Sequence, residues 1–199
     1  MTFNRPPHRP KHTGFIYPER CIMNLKNIAT GRHVPDDVNA VIEVPQGSSV
    51  KYELDKSSGV ILVDRFLFTA MHYPANYGFI PHTLSTDGDP TDILVVSPQP
   101  VQAGAIMHTR PIGILLMEDE HGTDCKIIAV PHHEVAGGYD HIEDIGDLPS
   151  YLRDEIFHFF EHYKELEQGK WVRLQGWQGA EDARTMILAD LARANATHA

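Results

Sequence analysis

VIEVPQGSSVKYELDKSSGVILVDRF, residues 41–66, sets three short β-branched or alternating runs between clusters of Gly, Pro and Ser. Val41–Val44, Val50–Leu54 and Val60–Phe66 read as strands joined by tight connections. Ile93–Val96, Pro111–Met117 and Lys126–Val130 continue the series, with Glu118–Asp124 reading as a hairpin tip. The period then lengthens. After Leu148-Pro149-Ser150, the residues Leu152, Ile156, Phe159, Phe160, Tyr163 and Leu166 fall on one face of a helix ending near Gly169. A second helix is expected from about Ala180 to Ala194, with Ala183, Ile187, Leu188 and Leu191 inward. Strands followed by helices predict a mainly β, α+β fold: a small closed barrel with two C-terminal helices packed outside.

Residues 1–22, Pro-rich and basic, contrast with everything after them. They read as a flexible N-terminal extension, leaving 23–199 as one domain. No apolar h-region opens the chain, and no run approaches the roughly 18 apolar residues of a membrane span. Cys21 and Cys125 form no CxxC, so a reducing cytoplasm is the simplest compartment. Lys and Arg number 17 against 27 Asp and Glu, a formal net charge of −10. That balance argues against nucleic acid as a partner. A small anion remains possible where divalent cations reverse the local field.

The sharpest motif is Asp87-Gly88-Asp89-Pro90-Thr91-Asp92. Gly88 and Pro90 force an irregular loop on which the carboxylates can converge. Two such charges about 4 Å apart repel by roughly 4 kcal/mol at an effective dielectric of 20, so a cation or abnormal titration is needed. An EF-hand fails here, since Asp92 and Pro98 stand where Gly and Glu belong. DxDxT also resembles the aspartyl nucleophile of haloacid-dehalogenase-like phosphatases, but no βα alternation surrounds it; that reading stays as the alternative.

Glu118-Asp119-Glu120 with Asp124 and Lys126 is, alone, a charged hairpin tip. Paired with the first cluster, Asp119 and Asp124 can complete an all-oxygen cage for hard cations such as Mg²⁺, and Lys126 can neutralise a substrate oxygen. Glu43, Lys51, Glu53 and Arg65 are charges inside apolar strands. Lys51 and Glu53, two apart, share one face. In a polar barrel mouth Arg65 and Lys51 would grip phosphate.

Together these stretches resemble the family I inorganic pyrophosphatases of bacterial type, from about Met23 to the C-terminus. Asp87–Asp92 matches the family's D-[SGDN]-D-[PE]-x-D signature. Val44–Glu53, Asp64-Arg65-Phe66, Tyr73–Gly78, Glu118–Lys126 and Phe159–Lys164 match in order. The resemblance implies a five-stranded OB-like closed barrel with the site in its mouth, acting on diphosphate, usually as a homohexamer. It implies several Mg²⁺ ions, with Mn²⁺ or other divalent ions as possible substitutes. Asp87, Asp92, Asp119, Asp124 and Glu53 are then the metal residues and Asp89 the base for water. Lys51, Arg65, Tyr73, Lys126, Tyr163 and Lys164 face the diphosphate, with Glu43 and Tyr77 in support.

His158–His162 spells HxxEH, formally an inverted zinc-protease motif. The plainer reading puts both histidines on the polar side of a helix. His132-His133 reads as surface, Trp171 and Trp177 as packing over the barrel, and Cys125 as pointing inward.

Overall fold

The computed structural model describes residues 27–197; the extension expected over residues 1–22 lies outside them. Nine strands and three helices follow in order: β1 (Val38–Val44), β2 (Val50–Asp55), β3 (Val60–Phe66), β4 (Asn76–Phe79), β5 (Asp92–Val95), β6 (Ile106–Asp119), β7 (Gly122–Thr123), β8 (Lys126–Pro131), α1 (His133–Ala136), α2 (Ser150–His162), β9 (Val172–Gly179) and α3 (Ala180–Thr197). β1 pairs β4, β4 pairs β5, β5 pairs β8, β8 pairs β6, and β6 returns to β1 through Val38↔Thr109 to Val41↔Ile106. Five strands thus close into a ring, the OB-like arrangement expected. Closure removes the open edges that a short sheet would otherwise present.

β6 makes closure possible because it is long. Its 14 residues reach β1 at one end and β7 and β9 at the other. Pro111 cannot donate to a ladder, and it sits where the β6–β8 register shifts before Gly113.

Alternating side chains of the ring strands feed two cores. Ile93 and Val95 of β5, with Ile127 and Ala129 of β8, pack with Ala183 and Ile187 of α3. Leu94, Ile128 and Val130 face the other way, toward Ile156, Phe159 and Phe160 of α2. The β2–β3 hairpin stands as a separate two-stranded sheet beside the ring.

Three sequence expectations change. β4 and β9 are strands that no alternation announced; β9 runs through the segment between the two tryptophans. Leu166 and Leu188, expected inward, are exposed. α2 ends at His162, so Leu166 lies in the turns beyond it, where the helical stripe no longer applies. Trp177 does pack, with its ring centroid 6.3 Å from that of Phe157, whereas Trp171 is exposed with Arg173 over it. Cys125 is half-buried against the α3-side core.

Gly78 of β4 marks the tightest approach in the ring: a Cβ there would lie 1.9 Å from the Val41 carbonyl oxygen of β1. Gly78→Ala should therefore destabilise the fold by about 3 kcal/mol or more in urea unfolding. A loss of a few tenths would contradict this close β1–β4 approach.

Candidate active site

Every residue given a metal, catalytic, substrate or supporting role from the sequence lines one cleft of about 850 Å³ at the ring's mouth. Asp87, Asp89 and Asp92 come from the loop entering β5, and Asp119 and Asp124 from the β6–β7 tip and the step into β8. Glu43 comes from β1, Lys51 and Glu53 from β2, Arg65 from β3, Tyr73 and Tyr77 from around β4. Lys126 opens β8, while Tyr163 and Lys164 follow α2.

The parallel pairing of β5 and β8 unites the two acidic stretches. Ile93 lies opposite Ile127, so the preceding residues Asp92 and Lys126 stand side by side. The Lys126 ammonium, almost wholly buried, donates to both Asp92 and Asp124. Burial opposes its charge, yet Asp92 and Asp124 override that and hold it well above the ordinary lysine range. Lys164 donates to Asp119 at 2.7 Å. Burial works against the Asp119 charge, but Lys164 and the His121 N–H prevail and hold the carboxyl below its usual range. Desolvation raises Asp87 and Asp124, and the charge of Asp92 raises both further.

The Asp87–Asp92 loop owes its shape to local hydrogen bonds. The Asp89 N–H donates to Asp87 Oδ1 at 3.0 Å, and Gly88 takes φ +94°, a conformation L side chains rarely adopt. Asp89 itself is exposed and accepts from Lys56 Nζ at 2.8 Å. On the hairpin, Lys51 donates to Glu53 and Arg65 donates to Glu167 at 3.0 Å and to Asp64 at 2.6 Å. The phenols of Tyr73, Tyr77 and Tyr163 are buried, which pushes all three well above their ordinary range and keeps them neutral. Tyr73 rests on Phe159 at 4.7 Å and Phe159 stacks on Tyr163 at 5.2 Å, so α2 sets the aromatic wall.

Sequence reasoning passed over Lys56, Lys170 and His121, and gave Glu120 no role beyond the charged tip; all four also line the cleft. Glu120 accepts from Lys170. Lys56 and Lys170 are single cations in turns, with no spacing signal to single them out. Among the described residues no three acids, histidines or cysteines stand together as a ready metal-ligand set; lysine ammoniums lie between the acids instead. The donor set still fits a hard divalent cation. It offers carboxylate oxygens only, and the raised Asp87 and Asp124 mark crowded, desolvated carboxylates that a bound cation would relieve.

A closed ring of strands with acidic and basic side chains interleaved at its mouth defines an OB-like protein with a charged cleft. The family model described as inorganic pyrophosphatase matches residues 40–195. The inorganic pyrophosphatase of Escherichia coli (strain K12) is 53% identical over 173 residues, 86% of this chain and 98% of that protein. That of Aquifex pyrophilus is 57% identical over 161 residues, 81% and 91% of the two chains. The solved inorganic pyrophosphatase from Thermus thermophilus superposes with a TM-score of 0.83 at 48% identity, covering 86% of this chain and 99% of that one. The chain belongs to the inorganic pyrophosphatase family.

Burial raises the Glu43 carboxyl from 4.5 to about 7, partly offset by the Leu54 N–H that donates to its Oε1 at 2.8 Å. The folded chain therefore holds a proton on Glu43 more tightly than the unfolded chain does. Between pH 4.5 and about 7 this group's contribution to stability is lost as pH rises. Glu43→Gln keeps the acceptor for Leu54 and abolishes the loss. In metal-free buffer the variant's melting temperature, relative to wild type, should climb through that window and level off above it. A constant difference would contradict the buried, protonated state.

Proposed function

We propose that this chain hydrolyses inorganic diphosphate to two phosphates. The observation that carries the reading is the convergence of two acidic stretches, distant in sequence, on Lys126 in a cleft also lined by Lys51, Arg65 and Lys164. Dependence on metal ions comes with membership of the family. We assign Mg²⁺ as the ion, with Asp87, Asp92, Asp119, Asp124 and Glu53 to hold it. When bound, such ions lower the pKa of water and neutralise phosphate charge.

The chain's own groups divide the remaining chemistry. Asp89 accepts the proton of the attacking water, whose oxygen bonds to one phosphorus as the bridging P–O bond breaks. The bridging oxygen leaves with the second phosphate. Lys51, Arg65, Lys126 and Lys164 balance the charge on the phosphate oxygens, which is most of what phosphoryl transfer asks of a protein. Tyr73 and Tyr163, kept neutral by burial, donate hydrogen bonds without adding charge. Glu43 braces the turn end of β2 through Leu54, and the Tyr77 ring lies 5.8 Å from the Lys126 ammonium. The covalent aspartyl alternative loses ground, because the Asp87 loop belongs to a closed ring rather than a βα series.

No helix among the described residues is long and apolar enough to cross a membrane. A cytoplasmic homohexamer is the setting we assign, and the exposed Phe66 and Phe68 support a further contact surface. Sedimentation at monomer mass would remove the hexamer from the proposal.

The direct test is phosphate release. Diphosphate should be cleaved with Mg²⁺ and spared in chelator, while an organic monophosphate stays intact. Asp89→Asn should lower kcat by about 10²–10⁴-fold with Mg²⁺ binding nearly unchanged. Rapid turnover in chelator would overturn the metal-based reading, and near-normal turnover by the variant would remove Asp89 from its role.

A further inference from the structure

The acidic loop is stapled from outside the cleft. Asp190, on the inner face of α3, is buried, and its carboxylate accepts from Thr91 Oγ1 at 2.7 Å, across 99 positions of sequence. Arg193, one turn on, donates to the same carboxylate and to the Leu84 carbonyl. The Leu84 N–H in turn donates to the Asp190 carbonyl at 3.1 Å. α3 therefore grips residues 84 and 91, on either side of Asp87 and Asp89. Thr91 is itself immobilised, its N–H donating to Thr83 Oγ1 at 2.9 Å and its carbonyl accepting from Ile80 N–H at 2.9 Å. Between these grips the loop is tied by Ser85 N–H to the Asp89 carbonyl and Gly88 N–H to the Ser85 carbonyl, at 2.7 and 3.2 Å.

Thr91 carries Asp92 on the next peptide, and Asp92 meets Lys126. A carboxylate set that must present several oxygens to one ion tolerates little drift in its backbone, because supporting contacts fix ligand direction. We propose that Asp190 is a positioning residue: through the Thr91 hydroxyl it fixes Asp92 and the carboxylate loop in the arrangement that binds divalent cations. This rests on the reading of the cleft as a cation site. Asp190 touches neither ion nor substrate in this scheme, and it acts from the opposite side of the loop.

The test is Mn²⁺ affinity of metal-stripped protein, read from the disappearance of the free-ion electron paramagnetic resonance signal, alongside melting temperature. Asp190→Ala and Thr91→Val should each weaken binding by about tenfold, and the double variant no more than either single one. Thr91→Ser, which keeps the hydroxyl, should stay near wild type. Ile187→Ala, which truncates the same helix without touching the staple, should lower the melting temperature and leave Mn²⁺ affinity near wild type. Thr91→Val remains informative if Asp190→Ala does not fold. Single effects that add in the double variant, or Mn²⁺ affinity that follows melting temperature across all variants, would overturn the positioning role. Wild-type protein that binds no Mn²⁺ would overturn the reading of the cleft with it.

Discussion

The site depends on one ion triad, the buried Lys126 ammonium held between the partly exposed Asp92 and Asp124. A charge so deep in a protein carries a desolvation penalty of several kcal/mol unless it is paired with good geometry. Here the pairing is enforced by backbone: β5 and β8 run parallel in register, and their first residues present the acid and the base to each other. Removing either acid would leave the buried ammonium a single carboxylate partner, and removing Lys126 would leave two carboxylates facing one another. The ring supplies that register. β6 spans from β1 to β9, closes the sheet and holds β8 against β5.

The same triad explains how a chain with a formal net charge of −10 can serve a polyanion. Lys126 and Lys164 pair with Asp92, Asp124 and Asp119, so opposite charges balance within the cleft. Divalent cations held by the same carboxylates, as proposed, would free the ammoniums to face phosphate oxygens. The aromatic wall of Tyr73, Phe159 and Tyr163 keeps this exchange next to a low-dielectric surface, where each charge counts for more.

Much of this was legible in the sequence. The alternation in Val50–Leu54 and the β-branched run from Val60 announced two strands, which pair as the hairpin, and the spacing of Ile156, Phe159 and Phe160 announced the buried face of α2. The acidic motifs were visible as residue types, and the residues given roles by matching one family in order line one cleft. What stayed hidden depends on the third dimension. β4 reads as Asn-Tyr-Gly-Phe, and its Gly78 serves a close backbone approach that no periodicity encodes. Ring closure rests on which strands β6 reaches. Lys56 is one cation in a turn, and Asp190 is one acid on a helix; only their placement opposite Asp89 and Thr91 gives them meaning.

The account stands on cations converting a self-neutralised cleft into an anion site. Calorimetric titration with a non-hydrolysable diphosphonate, first on metal-stripped protein and then with Mg²⁺, measures that conversion directly. The account predicts no detectable binding in the first case and tight, saturable binding in the second. Equal affinity in both would mean the lysines alone hold the anion, and would contradict it.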